Sequence, residues 1–342
     1  MKKKFAYLLL LATLPLTGCG TENYTPQEAV EKKLPELVKT TVDTYGESEC
    51  FTANVKVTNL QIDATYGDMT INAPISGEAV VGIRNMYTTD ITQLQAGIVL
   101  KNCNISLNIS KPEEEPSKYE LKEFNAGVYL SSGNIYVDFS SSFDKVINLI
   151  PEEGLFGGLV TRDLVKTFLG GGKLKFEDIV DESILPLVKK EELSEEKIAT
   201  KIKDIFGVFN DEDLAKVMSL THDRGNNTYD LKFTVTDPEI VNRTYNNTES
   251  QYKGKCEAVN LSFEALTNDK GAFNSAKVKG DATIKTDELE SSTTVKVTVD
   301  AEGSCNFDEY TIKNPSFKDF KSAGALLQIL EALIGGLIPS GE

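Results

Sequence analysis

The sequence predicts an α+β fold, a large curved antiparallel sheet of about ten strands with a helical lid inserted between two strand blocks. Three observations carry that prediction. Apolar and polar residues alternate with a period of two over residues 51–139 and again over 229–301, the pattern of strands with one wet face. Residues 143–220, between these blocks, change to helical spacing. Strands and helices do not alternate one by one, which sets aside the parallel sheets of α/β domains and the solute-binding receptors built from them. A twisted sheet of this width tends to curl, and strands with one apolar face need a covering layer.

In chain order, Met1-Lys2-Lys3-Lys4 and the apolar run from Phe5 to Leu16 form the basic head and hydrophobic stretch of a secretory signal, too short to span a bilayer as a helix. Leu16-Thr17-Gly18-Cys19 follows and resembles a bacterial lipobox. The resemblance implies that residues 1–18 are a lipoprotein signal peptide and that Cys19 is acylated as the new N-terminus. An ordinary signal peptide with a chance cysteine is the plainer alternative. Several acyl chains hold a protein on its membrane without a spanning helix, so the expected location is exported and membrane-anchored, outside the cytoplasmic membrane or in the periplasm. Thr25-Pro26-Gln27-Glu28 is a capping box with proline at the first helical position, and it predicts a helix to about Asp43 that Pro35 should kink. Only Gly20 to Tyr24 lie between Cys19 and this helix, a reach of about 20 Å at full extension. Residues 19–45 therefore read as an acylated N-terminus, a short tether and a first helix.

Phe51, Ala53, Val55 and Val57 alternate with polar residues, and Leu60, Ile62, Ala64 and Tyr66 continue in the opposite phase, which predicts a bulge near Thr58-Asn59. Further strands are expected at 71–83, 94–100, 103–109, 119–130 and 135–139, with Ser131-Ser132-Gly133-Asn134 as the clearest hairpin turn. Helical spacing marks 143–150, 161–169 (stopped by Gly170-Gly171-Gly172), a turn or two within 176–187, 194–209, and 211–220 capped by Asn210. Four strands follow, around Leu231, Leu261, Val278 and Val297. Residues 322–338 are apolar almost all round and read as a core helix, a plug for an apolar cavity, or a second membrane contact. The domain reading is a curved-sheet domain over 46–321, its helical insertion at 143–220, and an apolar C-terminal helix over 322–342.

The formal charge is −16, and removal of the signal with Lys2, Lys3 and Lys4 makes it more negative. Such a body is repelled by nucleic acid and by anionic headgroups, so no nucleic-acid partner is expected. Cys50, Cys103, Cys256 and Cys305 would reside in an oxidising compartment, where four thiols predict two disulfides in one of three connectivities. Similar separations favour Cys50–Cys103 and Cys256–Cys305, each worth about 4 kcal/mol in the chain-entropy model. No two of these cysteines have zinc-ligand spacing, and the single histidine, His222, has no ligand partner nearby in sequence, so no metal is expected.

His222 reads as a solvated loop histidine between a helix and a strand, in preference to a general base oriented by Asp223. Ser194-Glu195-Glu196-Lys197 has no Lys-Thr-Gly partner motif, and Gly170-Gly171-Gly172-Lys173 follows a helix where a phosphate loop follows a strand. Glu113-Glu114-Glu115 and Asn210-Asp211-Glu212-Asp213 lack the register of a calcium loop. No enzyme activity, catalytic residue or cofactor is expected.

Ala126-Gly127-Val128-Tyr129-Leu130, then Ser132-Gly133-Asn134-Ile135-Tyr136-Val137-Asp138-Phe139, a helical 143–150 and a Gly-rich turn at 154–158 resemble LolA/LppX-like lipoprotein carriers, at the stretch where a hairpin leads from sheet to lid. The resemblance covers about a third of the chain and is one of element order. This chain departs from it in its length, its apolar C-terminal segment and its four further cysteines. The resemblance implies a half-barrel with helices lying across its concave face over an apolar cavity. On that layout the candidate cavity residues are Val128, Leu130, Ile135, Val137, Phe139, Ile147, Leu155, Phe156, Leu164, Phe168, Leu326, Leu330 and Leu333. The expected partners are the membrane, through the N-terminal lipid, a lipid or other amphiphile in the cavity, and an envelope protein. The alternative is a structural or protein-interaction lipoprotein of the envelope without a ligand cavity.

Overall fold

A computed structural model describes residues 20–45, 49–152, 161–177, 183, 185–187, 194–246, 254–286, 293–307 and 309–324. The signal peptide, Cys19, the Gly-rich turn at 154–158 with Leu155 and Phe156, half of 176–187, and the apolar segment beyond Gly324 with Leu326, Leu330 and Leu333 lie outside the described residues. The fold is α+β, with a large, open, mostly antiparallel sheet. Its described strands are β1 (Thr21–Tyr24), β2 (Cys50–Tyr66), β3 (Met69–Arg84), β4 (Gln95–Ser110), β5 (Ser117–Ser131), β6 (Asn134–Asp138), β7 (Lys173–Phe176), β8 (Met218–Asp223), β9 (Thr228–Val235), β10 (Gly254–Thr267), β11 (Phe273–Thr286), β12 (Thr293–Asn306) and β13 (Lys321–Ser322). That is thirteen where alternation predicts about ten: the additional strands, β1, β7, β8 and β13, are too short to show a period, while 94–100 and 103–109 form the single strand β4.

The chain divides into two compact units. The first combines the N-terminal residues with 190–305 and orders its strands β1-β8-β9-β10-β11-β12. Its helices are α1 (Pro26–Glu28, continued by a π turn at Ala29–Lys33 and by Leu34–Tyr45), α4 (Glu195–Phe206), α5 (Asp211–Val217) and α6 (Pro238–Asn246). Thr25 and Glu28 form the expected reciprocal cap. The π turn precedes Pro35, whose ring has no N–H and crowds the carbonyl one turn back; widening that turn absorbs the conflict without ending the helix. Ser194 caps α4 and Asn210 caps α5, and α5 stops at Val217 because the chain enters β8 at Met218. Leu34, Leu37, Ile198, Ile202, Leu214, Leu220, Tyr229, Val235, Ile240 and Val259 are buried together in one core between helices and sheet. At its edge, half-exposed Arg243 of α6 donates to buried Asp213 of α5 at 2.7 and 3.0 Å. This bidentate contact holds the Asp213 carboxyl below its ordinary pKa.

The stretch read from sequence as a short tether forms a strand. Residues Thr21 to Tyr24 pair with β8 from Thr21↔Asp223 to Tyr24↔Leu220, and the Gly20 carbonyl accepts from the Arg224 N–H at 3.2 Å.

The second unit orders its strands β2-β3-β4-β5-β6-β7-β13 and carries α2 (Phe143–Ile147) and α3 (Arg162–Phe168). The β5–β6 turn is the predicted one: Ser132 and Gly133 both have positive φ (51° and 76°), the geometry a two-residue hairpin requires. Gly170, Gly171 and Gly172 also have positive φ; they end α3 and return the chain to the sheet as β7, which pairs with β6. Residues 143–220 therefore do not form one helical lid, because β7 interrupts them and their helices are shared between the two units. β2 runs as one strand from Cys50 to Tyr66, and the inserted residues that the registers show among β3, β4 and β5 lie in β4 and β5.

The two disulfides expected from sequence are not formed: Cys103, Cys256 and Cys305 carry free thiols. Cys256 is opposite Ile284 at one end of β11, while Cys305 follows Ser304, which is opposite Ser275 at the other end. About nine residues of strand, roughly 30 Å, separate those levels, against less than 7 Å between the Cα atoms of a bridge. Cys50 follows Glu49, whose carbonyl accepts from Met86 N–H, whereas Cys103 packs against Gly77, about 30 Å along β3 from Met86. Equal separations in sequence do not bring antiparallel strands to the same level. Burial pushes the thiols of Cys103, Cys256 and Cys305 up, which keeps them protonated and slow to react.

Candidate functional site: an apolar sheet face

Directly opposed residues of antiparallel strands share a face, so the registers of the second unit sort its side chains into two sides. One row runs Val81↔Ile98↔Val128↔Val137↔Leu174 across β3 to β7. The next runs Ile83↔Ala96↔Leu130↔Ile135↔Phe176, and a third Ala79↔Leu100↔Ala126. Farther along, Ile75↔Ile105↔Leu121, Leu107↔Tyr119 and Ile71↔Ile109 continue the same side.

Bulges keep that side apolar along the whole length. In β4 the apolar positions change from even (Ala96, Ile98, Leu100) to odd (Ile105, Leu107, Ile109), and in β5 from odd (Tyr119, Leu121) to even (Ala126, Val128, Leu130). Each change spans a residue with positive φ, Asn102 at 49° and Glu123 at 51°, and one inserted residue reverses the phase of everything after it. Asparagine side chains meet the backbone groups that the bulges release: Asn125 Oδ1 accepts from Asn102 N–H and Asn104 Oδ1 from Glu123 N–H, both at 3.0 Å. Across from them, Gly77 has φ 148°, and a Cβ there would lie 2.6 Å from Cys103 Sγ, so only glycine fits.

The back face is closed. Its central row is Gly82↔Gly97↔Tyr129↔Tyr136, over which buried Ile312 and Phe320 pack together with half-buried Tyr310 and Phe317. Phe317 stacks on Tyr136 at 3.9 Å between centroids. Ile312 approaches so closely that a Cβ on Gly82 or Gly97 would meet it at 3.0 to 3.1 Å. Buried Thr52 pins the same segment, donating to the Glu309 carbonyl at 2.8 Å and accepting from Thr311 N–H at 3.0 Å.

The front face is open by comparison. Leu174 is its one buried side chain among the described residues named above; the others are half-buried or exposed, with Ile98 at 45% and its neighbour Val128 at 39%. Three long strands, β3 to β5, carry this face over about twelve residues, roughly 10 by 40 Å, and the short strands β6 and β7 widen it at one end only.

Of the predicted cavity residues, Val128, Leu130, Ile135 and Val137 meet on this front face. Phe139 follows β6 and stacks on Phe143 at 6.1 Å. Ile147 is buried in α2, Leu164 is exposed on α3, and Phe168 is half-buried. The hollow formed by Asn104, Ile105, Ser106, Glu120, Leu121 and Lys122, of about 190 Å³, is lined by none of the predicted residues and is below the size of ordinary ligand pockets. The apolar positions of β3 and β4, Val81, Ile83, Ala96, Ile98 and Leu100 above all, belong to the face and were absent from the predicted set. Their signal was the alternation of 71–83 and 94–109, and the phase reversal at Asn102 hid their common side.

His222 lies in β8 and not in a loop. Its ring stacks on Tyr229 at 4.1 Å, Nε2 is 3.2 Å from Asn227 Oδ1, and Nδ1 is 3.6 Å from Glu22 Oε2 on the paired strand β1. Of these contacts only the one to Glu22 reaches β1, which its backbone ladder with β8 holds to the sheet. No group of three His, Cys, Asp or Glu side chains gathers as a metal site among the described residues, and none of their helices is long and apolar enough to cross a membrane. No protein-family model matches this chain, and no curated protein sequence matches it.

Proposed function

We propose that this chain is an exported lipoprotein, held on its membrane through Cys19, that binds or carries a lipid or other amphiphile against the apolar front face of its second unit. In this reading the sheet curls as a half-barrel and helical segments close over the ligand as a lid. The observation that carries it is the row Val81, Ile98, Val128, Val137 and its neighbours, kept on one side by two bulges and left half-exposed. An acyl chain laid on such a surface gains about 0.8 kcal/mol for each methylene it buries and asks for no polar group in return. The lipobox and the absence of a long linker before β1 support work at the membrane.

Native mass spectrometry of protein extracted from membranes tests the reading, together with displacement of a fluorescent fatty acid. The expected result is a co-purifying lipid and displacement that Val128→Glu abolishes. Repeated absence of lipid with no displacement would overturn it. A second reading, an envelope protein that docks other proteins on the same face, is favoured by the small volume of the hollow over β4 and β5; it predicts a bound protein, and no lipid, in the same spectra.

A further inference from the structure

From the pairing of β1 with β8 we infer that one end of the first unit, formed by the β8–β9 and β10–β11 turns, is pressed against the lipid headgroups. The inference rests on the anchored reading above and adds to it an orientation. β1 starts at Thr21, opposite Asp223, and Gly20 is already hydrogen-bonded to Arg224. An acyl-bearing residue 19 would thus be a single residue from a fixed strand, about 4 Å of chain. No linker remains to let the body turn away from the bilayer.

The registers state which surface lies there. Asp223↔Thr228 closes the β8–β9 turn, Asp230↔Leu266 brings the end of β10 to the same level, and Thr267↔Phe273 closes the β10–β11 turn. The turns are tied together, since Asn227 Nδ2 donates to the Asp269 carbonyl at 2.6 Å. Each is also built internally. Asp223 Oδ1 accepts from Gly225 N–H at 2.8 Å, and Asn268 Oδ1 accepts from the N–H groups of Lys270 and Ala272 at 3.0 and 3.1 Å. Arg224 pairs with Glu22 at 3.1 Å.

The charge of this end suits the position. In a chain of formal charge −16, Glu22, Asp223, Asp230 and Asp269 are set against Arg224, Lys270 and Lys232, the last paired with Asp230 at 2.8 Å, with the neutral amides of Asn226, Asn227 and Asn268 between them. A nearly balanced, amide-rich surface can approach zwitterionic or anionic headgroups without the repulsion that the whole body would feel. The opposite end of the same strands, at Lys255, is about 40 Å away.

The chain has no tryptophan, so a single introduced indole reports its own depth. The full acylated chain, recovered from membranes and reconstituted in vesicles that carry nitroxide-headgroup lipid, would be compared as Lys270→Trp and Lys255→Trp; both positions are exposed. Quenching of Lys270→Trp is expected to exceed that of Lys255→Trp several-fold. Inserting a Gly/Ser linker of about twenty residues after Cys19, whose mean span is about 25 Å, should remove most of the difference. Equal quenching of the two variants, stronger quenching at Lys255→Trp, or none at either while the chain floats with the vesicles would overturn the orientation. A chain that has no acyl group by mass and does not float would overturn the anchoring itself, and the orientation with it.

Discussion

The core face of the first unit and the front face of the second are made from the same kind of alternating strand, yet one ends buried and the other half-exposed. In the first, Tyr229, Val235 and Val259 are buried among Leu37, Ile198, Leu214 and Ile240 from four helices. In the second, Ile98 and Val128 lie side by side and remain open. Alternation establishes that a face is apolar; it does not establish what covers it. Cover depends on the helices that reach the face, and those are encoded elsewhere in the chain.

The largest effect that would sharpen this contrast belongs to the covered face. Leu220 is about as fully buried as any side chain described, and Leu220→Ala should cost about 2–5 kcal/mol through lost transfer energy and the cavity left behind. Urea unfolding monitored by circular dichroism reads this directly. A loss below about 1 kcal/mol would mean that the helices do not pack on β8 as tightly as the burial indicates.

A smaller loss is expected on the closed side of the second unit. Gly97→Val drives two methyl groups toward Ile312, which already lies 3.0 Å from where a Cβ would sit, and should cost about 1–3 kcal/mol by overpacking. Ile312→Ala in the same chain should recover part of it, because the variant valine then has room. Failure of that rescue, measured as a double-mutant cycle, would detach the 309–320 segment from the back face.

Next comes an effect gated by pH. The Arg243 contact holds Asp213 below its ordinary pKa, so the folded state binds fewer protons than the unfolded state between the two values. Stability from this pair is complete above the unfolded value, about 3.9, and is lost as the pH falls through the lower folded value. The difference in urea midpoint between the native chain and Arg243→Met should accordingly be full at neutral pH and shrink below about pH 4. A difference that stays constant into acid would show that Arg243 acts through packing alone.

Much of this architecture was legible because each element carried its own chemistry. The Thr25 capping box, the Ser132-Gly133 turn, the Asn210 cap and the Gly170 stop each satisfy a local backbone requirement that a few residues reveal. Four short strands escaped, because β1 and β7 have four residues each, β13 two and β8 six, and strands so short show no period. β1 is the instructive case: Thr21 to Tyr24 are extended only because β8 offers an edge about two hundred residues away in the chain. The disulfide expectation failed for the same reason, since sequence separation says nothing about the level at which strands pair. Of the candidate site, the four residues flanking the β5–β6 turn were legible, and the rest of the front face was not, because the bulges at Asn102 and Glu123 reverse the phase and break one apolar stripe into apparently opposed pieces.

The smallest expected change in stability is also the one that decides function. On the front face, Ile98→Ser and Val128→Ser each remove apolar area that is already partly in water, so each should shift stability by only about 0.5 kcal/mol. If that face is a binding surface, the same pair should lower uptake of a fluorescent fatty acid severely, because the two side chains form the middle of the row that joins Val81 to Val137. Leu220→Ala supplies the opposite pattern, a large loss of stability with uptake retained in the fraction that stays folded. A front face whose serine variants cost as much stability as Leu220→Ala would instead be an ordinary core surface, covered in solution by this chain's own segments, and the contrast between the two units would vanish.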